Sequence, residues 1–597
     1  MPTVRFIPSG ATISVDAGTT VLEAARRAGV VVPEPCNGAG TCGKCRVRVA
    51  AAQRAHLREA PHRHLTHAER AAGWVLACQS VVLGDLDMET TTRKEEGLKI
   101  VSEGHALDVA IKPWITKTFN PATRQTDVFA GDRVLTTEPG DTAQAAFGAA
   151  IDIGTTTLVV SLVDLLSGRE LAVASSLNPQ ARHAQDVLSR IKMGSQPEGL
   201  RLLQTELIEV LNRLIAQTAA EANVSARHIY EAVFSGNTTM LHLAVGANPA
   251  SLGKYPYTPV LQGGESVSAA DLGLAIAPDG LVYLPPIMSA YVGADITSGI
   301  LATQLAELRG TTLFVDIGTN GEMVLATDGK LTATSTAAGP AFEGMNISCG
   351  MRASRGAIES VELSEVGDRR SAIGDQQSET GGQRPEASEP TSDFRSPTTD
   401  FRPPTSVLRP PSSDLQFHAI GDDAPVGLCG SGLLDAVGEL AAHGIVDKNG
   451  RFQTAHTIWH SRFETLDGKP VFRIAGPVYL SQKDVRQVQL AKAAVRAGIE
   501  LMLAANGVAA DRVDRVLIAG SFGFHLRTAS LTHLGLLPRA FHDRVAFVGN
   551  TSKSGARAFL LNRVLRETFQ RLVRRVHVLE LANDPAFEKT FVRALTF

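Results

Sequence analysis

Apolar and polar residues alternate, cluster and thin out along this chain in ways that divide it into stretches of different architecture. Near the amino end Val4 and Phe6, then Ile13 and Val15, stand among polar neighbours with a period of two, which predicts two short strands. Thr20 and Glu23 form a capping box that opens a short helix ending at Gly29. After an acidic strand around 85–89, the stretch 90–146 is polar, weakly periodic and broken by Pro and Gly. It reads as a linker or reduced middle domain, with strands of its own over 127–136. From Phe147 the pattern becomes strands alternating with long amphipathic helices. Residues 199–223 carry Leu202, Leu203, Leu207, Val210, Leu211 and Leu214 as one apolar stripe, and 485–506 carries an Ala- and Leu-rich face. Over 364–413 Pro, Ser, Thr, Asp and Arg dominate, so the segment buries too little apolar surface to offset its ordering. The β-like flanks 358–363 and 415–420 make it an insertion that inflates a hairpin turn. Such an insertion costs little in closure entropy. Its Arg and Phe residues are either docking groups or neutral.

One phrase occurs twice. Asp-Ile-Gly-Thr stands at 152–155, inside AAIDIGTTTLVVSLVD, and again at 316–319, inside LFVDIGTNGEMVLA. Two β-rich runs joined by Gly-Thr describe a hairpin whose tight turn exposes backbone N–H groups and hydroxyls. Such a turn can cradle phosphate, and a strand-end Asp can hold Mg²⁺ through water. The plainer alternative is a strand-end turn with a capping Asp. Two copies far apart predict two similar halves that clamp one nucleotide, with ATP as the first candidate. No Gly-x4-Gly-Lys-Ser/Thr occurs.

At 597 residues the chain is too long for one core. A net charge of −3 argues against nucleic acid or an anionic membrane as partner. No apolar run reaches about 18 residues and no charged-then-apolar leader follows Met1, so the expected location is cytoplasmic. In a reducing compartment the six cysteines are better suited to metal or redox work than to disulfides. Cys36, Cys42, Cys45 and Cys78 form C-x5-C-x2-C with a distant fourth, and Gly38, Gly40 and Gly43 let the loop wrap so that amides point at sulfur. Three ligands on one loop and one apart favour [2Fe–2S] over four-cysteine zinc, whose ligands come as two close pairs. His56, His62, His64 and His67 match no metal-ligand spacing and read as a solvated helical segment.

The remaining motifs are TAAGPAFEGMNISCGMR (336–352), GLCGSGLLDAV (427–437) and LIAGSFGFHL (517–526). Each opens on glycine before a helix, where anions and nucleotides bind readily. With CNGxGxCGKC, DIGTTT, GNTTMLHL, DIGTNGE and LSQKDVRQVQLAKAA, in this order and spacing, the chain resembles the reductive activators of corrinoid proteins. The resemblance covers the cysteine region and nearly everything from Phe147 onward.

It implies a multidomain protein of α+β and α/β class. Residues 1–89 would be a β-grasp [2Fe–2S] ferredoxin domain and 90–146 the linker. Residues 147–597 would be a duplicated, ribonuclease-H-like ATPase of the actin, heat-shock-chaperone and sugar-kinase superfamily. Relatives carry a fuller middle domain than 90–146. The implied activity is ATP-driven transfer of one electron from the cluster to a Co(II) corrinoid protein, restoring Co(I) for methyl transfer. Implied partners are that protein and a low-potential donor; pairing of two chains as a homodimer is left open. Cys36, Cys42, Cys45 and Cys78 map onto cluster ligands. Gly154, Thr155 and Thr156 map onto one phosphate loop, Gly318, Thr319, Asn320 and Gly321 onto the other, and Gly520 and Gly523 onto the adenosine segment. Asp152 and Asp316 are the candidates for Mg²⁺ and water positioning.

Three rivals remain. Cys349 and Cys429 could bridge a [4Fe–4S] cluster in a dimer, as in activators of 2-hydroxyacyl-CoA dehydratases, or be buried and inert. Phosphoryl transfer to a small substrate would leave the ferredoxin module without purpose. A redox sensor would bind ATP without reducing a corrinoid.

Overall fold

The computed structural model describes residues 1–30, 32, 43, 45–60, 64–65, 67–90, 107–365, 413–456, 458–520 and 526–597. Cys36, Cys42, His62, Gly523 and most of the 364–413 segment lie outside them.

The amino-terminal unit is a five-stranded sheet in the order Thr12–Ser14, Thr3–Ile7, Leu86–Thr90, Arg46–Val49, Trp74–Leu76. Its two central strands run parallel, pairing Val4 with Leu86 and Ile7 with Glu89. Val4 and Phe6 are sealed beneath the helix Val21–Arg27, as their alternation requires. Thr20 caps that helix by accepting from the Glu23 amide at 3.1 Å. Gly29 leaves it at a left-handed φ of 68°.

Residues 115–139 form a three-stranded antiparallel meander, Ile115–Asn120, Gln125–Ala130 and Arg133–Pro139. It is docked onto the next unit by a buried cation. Lys117 Nζ donates to Glu138 at 2.8 Å, to the Ala145 carbonyl at 3.1 Å and to the Tyr230 hydroxyl at 2.7 Å.

The rest of the chain builds one sheet pattern twice. In the first half Phe147–Ile153, Thr157–Asp164 and Glu170–Leu177 form an antiparallel meander, and Ile229–Gly236 adds in parallel beside Phe147–Ile153. In the second, Thr311–Ile317, Gly321–Thr327 and Lys330–Thr336 repeat the meander, and Arg515–Ala519 adds in parallel beside Thr311–Ile317. Each DIGT phrase ends the first meander strand and turns into the second, so the sequence duplication is a structural one.

The helices come where periodicity predicts them. Pro197–Glu221 buries Leu203, Leu207, Val210, Leu211 and Leu214; Leu202, expected in the same stripe, faces solvent at 39% exposure. Gln482–Ala505 opens on a reciprocal capping box between Ser481 and Asp484. Ala357–Glu365 and Ser413–Ala419 pair antiparallel, Leu363 opposite Leu415, so the two β-like flanks are paired strands. Among the described residues no helix is long and apolar enough to cross a membrane.

The halves are tied together by the late helix Thr551–Leu561, which returns to pack on the helix Ala294–Ala302 of the first half. Gly555 makes this possible: a Cβ there would stand 2.1 Å from the Ser298 carbonyl oxygen.

Candidate functional site

The two loops face each other. Gly154 turns the first, its amide donating to the Thr157 carbonyl at 3.0 Å, and a Cβ on it would stand 2.5 Å from that oxygen. Asn178 holds the Gly154 carbonyl at 2.8 Å, and Asn237, which caps the helix Thr238–Ala244, donates to the Thr155 hydroxyl at 2.9 Å. In the second loop the Gly318 amide donates to the Asn320 carbonyl at 2.8 Å, and the Thr319 carbonyl accepts from Gly339 at 2.8 Å. The Thr156 and Thr319 hydroxyls are 3.4 Å apart. One carboxylate joins them: Glu343 accepts from Thr319 at 2.6 Å and from Thr156. Glu343 stands in the AAGPAFEG phrase, on the short turn Pro340–Glu343.

Asp152 and Asp316 lie at the ends of equivalent strands, half-buried on the floor of the cleft between the loops. The Asp152 carboxylate accepts from Asn550 Nδ2 and from Ser552 Oγ, both at 2.8 Å. Burial pushes its affinity for a proton up, while those hydrogen bonds and the Lys553 charge hold it down. Asp316 has no such relief; burial and then the charge of Asp152 push it up to about 7. Two further carboxylates complete the group. Asp295, in the first turn of Ala294–Ala302, is pushed up to about 8 by burial, then by Asp316 and Asp152. Glu322 lies opposite Asp316 in the hairpin register, and burial with the charges of Asp295 and Asp316 raises it well above the usual carboxyl range.

Four crowded acids hold protons or attract a cation. Among the described residues no three Asp, Glu, His or Cys side chains converge as a direct ligand set.

Gly520 ends Arg515–Ala519 beside the second loop at a φ of 121°. A Cβ there would stand 2.4 Å from the Ile317 carbonyl and 3.4 Å from Asp316 Oδ1, so only glycine leaves that edge of the cleft open. The structure thus brings together Asp152, Gly154, Thr155, Thr156, Asp316, Gly318, Thr319, Asn320, Gly321 and Gly520. Asn237, Asp295, Glu322 and Glu343 join them unannounced. Three of these sit inside the phrases GNTTM, DIGTNGE and AAGPAFEG, and Asp295 stands two residues after the helix-capping Gly293.

In the amino-terminal unit Cys45 and Cys78 meet with sulfurs 3.1 Å apart, Cys45 just before strand Arg46–Val49 and Cys78 after Trp74–Leu76. That gap is well beyond a disulfide's ~2.05 Å, so the two sulfurs stand side by side as unlinked thiols. Cys429, in contrast, is 2% exposed and bonded to Ser431 and the Ile358 carbonyl, and burial pushes its thiol up. Its surroundings are those of a core thiol.

Three family descriptions match successive parts of the chain. Residues 5–83 match the family described as 2Fe-2S iron-sulfur cluster binding domain, 147–308 the RACo middle region, and 310–597 the C-terminal domain of RACo, the ASKHA domain. The middle-region match thus falls on the first half of the duplicated fold, and 107–146 lies outside all three. Corrinoid activation enzyme RamQ of Eubacterium limosum is 31% identical over 485 residues, 79% of this chain and 74% of that protein. The [Co(II) methylated amine-specific corrinoid protein] reductase of Methanosarcina barkeri is 22% identical over 319 residues, 53% of this chain and 51% of that protein. The solved reductive activator for corrinoid, iron-sulfur protein superposes with a TM-score of 0.69 at 31% identity, covering 100% of this chain and 98% of that one. With its ferredoxin-type sheet, twin loops and relatives of this kind, the chain belongs to the family of corrinoid protein reductive activators.

Proposed function

We propose that this protein uses ATP to pass one electron from a [2Fe–2S] cluster to the Co(II) state of a corrinoid protein, restoring Co(I) for methyl transfer. The observation that carries this reading is the union, in one chain, of a ferredoxin-type sheet bearing the paired Cys45 and Cys78 with two DIGT loops laced across one carboxylate cleft. Cys36, Cys42, Cys45 and Cys78 are the residues to hold the cluster, which when bound supplies a one-electron carrier.

In the cleft, Gly154, Thr155 and Thr156 on one side and Gly318, Thr319, Asn320 and Gly321 on the other offer amides and hydroxyls to phosphate. Asp152 and Asp316, with Asp295 and Glu322 beside them, are suited to hold Mg²⁺ through water and to orient an attacking water. Gly520 leaves room for adenosine, and Gly523 is the second candidate of that segment. Because Thr156 and Thr319 belong to different halves, phosphate contact on both couples nucleotide binding to the approach of the halves. That is the kind of movement that can drive an unfavourable electron step. Each 100 mV of one-electron gap is about 2.3 kcal/mol, within reach of a nucleotide-driven change. A low-potential donor, a cytoplasmic setting and a homodimer complete the proposal.

The test is anaerobic. The reduced protein is mixed with a Co(II) corrinoid protein, and the visible spectrum is followed with and without Mg·ATP. The expected result is a Co(I) band only with ATP, abolished by Asp152→Ala or Asp316→Ala while the cluster's own spectrum stays unchanged. ATP hydrolysis by cluster-loaded protein without Co(I) from any of several corrinoid partners would overturn the reading.

A further inference from the structure

A buried arginine stands behind the first loop with no carboxylate hydrogen-bonded to it. Arg190, on the helix Val187–Gly194, is 0% exposed. Its guanidinium donates only to neutral groups: Nε to the Ala184 carbonyl at 3.0 Å, Nη1 to Gln180 Oε1 at 3.2 Å and to Met240 Sδ at 3.0 Å. Nη2 is sealed from solvent and has no acceptor. Burying a guanidinium without a carboxylate bonded to it is costly, and a buried donor left unpaired adds to that cost. Such a group persists when a ligand supplies what the protein does not.

Its position says which ligand. Met240 Sδ, touched by Nη1, is 3.7 Å from Asn178 Nδ2, and that same nitrogen holds the Gly154 carbonyl at 2.8 Å. One sulfur and one amide therefore separate the guanidinium from the first loop. Gln180, the other partner, is on the turn Pro179–Arg182 that Asn178 caps. The negative charge that acts most on Arg190 is that of Glu343, the carboxylate bonded to both loop threonines; Asp186 comes second. Neither makes a hydrogen bond to it. The cleft around it is otherwise acidic, and Lys553 is engaged by Glu170 at 2.8 Å. A polyphosphate entering this cleft meets Asp152, Asp295, Asp316, Glu322 and Glu343, and needs a cation of the protein's own beside any Mg²⁺.

We infer that Arg190, uncovered when Met240 and Asn178 shift on nucleotide binding, takes the terminal phosphate through Nη2 and gives the site its preference for a triphosphate over a diphosphate. This rests on the ATP reading proposed above. The terminal phosphate is the relevant one because the adenosine candidate Gly520 belongs to the second half and Arg190 to the first. The end of the phosphate chain farthest from adenosine is the end that reaches the first half.

The experiment is calorimetric titration of full-length, cluster-loaded protein with Mg·ATP and Mg·ADP, for wild type, Arg190→Gln and Arg190→Lys. Arg190→Gln should weaken ATP binding by about 10- to 100-fold, the range for a lost hydrogen bond to a charged group, and change ADP binding less than about threefold. An unchanged ATP-to-ADP ratio in a variant of wild-type thermal midpoint overturns the assignment and makes Arg190 a packing residue. Equal weakening of both nucleotides overturns it too. If Arg190→Gln does not fold, Arg190→Lys carries the test. Its ammonium lacks the fork and should lower the preference for ATP, whereas an unaltered preference refutes the role. Failure of the ATP reading itself shows separately, as wild-type protein that binds neither nucleotide.

Discussion

Glu343 holds the position that a phosphate must take. It accepts hydrogen bonds from Thr156 and Thr319, one hydroxyl from each half, so in this arrangement both loops already have an anionic acceptor. Replacing it with Gln removes the charge and keeps one acceptor oxygen. Each bond to a carboxylate is worth about 1.5–3 kcal/mol net, but an incoming phosphate restores most of that by accepting from the same hydroxyls. What remains is the repulsion between carboxylate and phosphate. At a separation of roughly 5 Å and an effective dielectric of about 20 it comes to about 3 kcal/mol, less as Glu343 swings towards water. Half of that survives as about tenfold in affinity. Glu343→Gln should therefore bind Mg·ATP about tenfold more tightly than wild type, measured by titration calorimetry at fixed salt. It should also bind inorganic triphosphate more tightly, since adenosine plays no part in the argument. Unchanged or weaker ATP binding by the folded variant would refute the reasoning and make Glu343 part of the nucleotide's own set of contacts.

Other outcomes follow from the same geometry. Asp316 and Asp295 hold protons up to about 7 and about 8, above their unfolded values near 4. The folded state thus binds more protons between these limits, so this contribution to stability is full below about pH 4 and lost as pH rises through 7 to 8. The thermal midpoint without nucleotide should fall across that window, and Asp295→Asn should flatten the fall; a midpoint independent of pH in wild type would contradict it. Lys492, buried against the Phe597 ring at 5.0 Å, is pushed down to about 7, so the unfolded chain binds the extra proton between about 7 and 10.5. Lys492→Met should remove a rise in stability with pH over that range, read by denaturant titration at pH 7 and 9. Gly555→Ala would force the helices Ala294–Ala302 and Thr551–Leu561 apart at Ser298, lowering stability by about 1–3 kcal/mol. Since the same helix start carries Ser552, ATP binding should weaken with it; a midpoint and affinity like wild type would show that the contact can give.

The duplicated architecture was legible because the DIGT hairpins are local: strand, turn and strand lie within a few residues, and their chemistry is printed in the turn. The helices were legible from their stripes, with the error at Leu202 arising at the rim, where one step around the helix turns a side chain to solvent. Glu322 and Glu343 were in quoted phrases yet unassigned, because a lone Glu has no periodicity; only the register opposite Asp316 and the meeting with Thr156 give them roles. Asn550 and Ser552 were invisible for a stronger reason, since nothing near them in sequence announces a partner in the first half. Arg190 carries no signal in the sequence; only its burial marks it.

The bonds from Asn550 and Ser552 to Asp152 span 398 and 400 residues. At a ribosomal pace of about 5–20 residues per second, Asp152 emerges roughly 20–80 s before the groups that hold it. During that interval the ferredoxin-type unit is already complete, since its sheet closes with Leu86–Thr90. Cluster insertion can therefore precede assembly of the ATP cleft on the nascent chain. A half-made protein would be able to carry an electron before it had any means of gating where that electron goes.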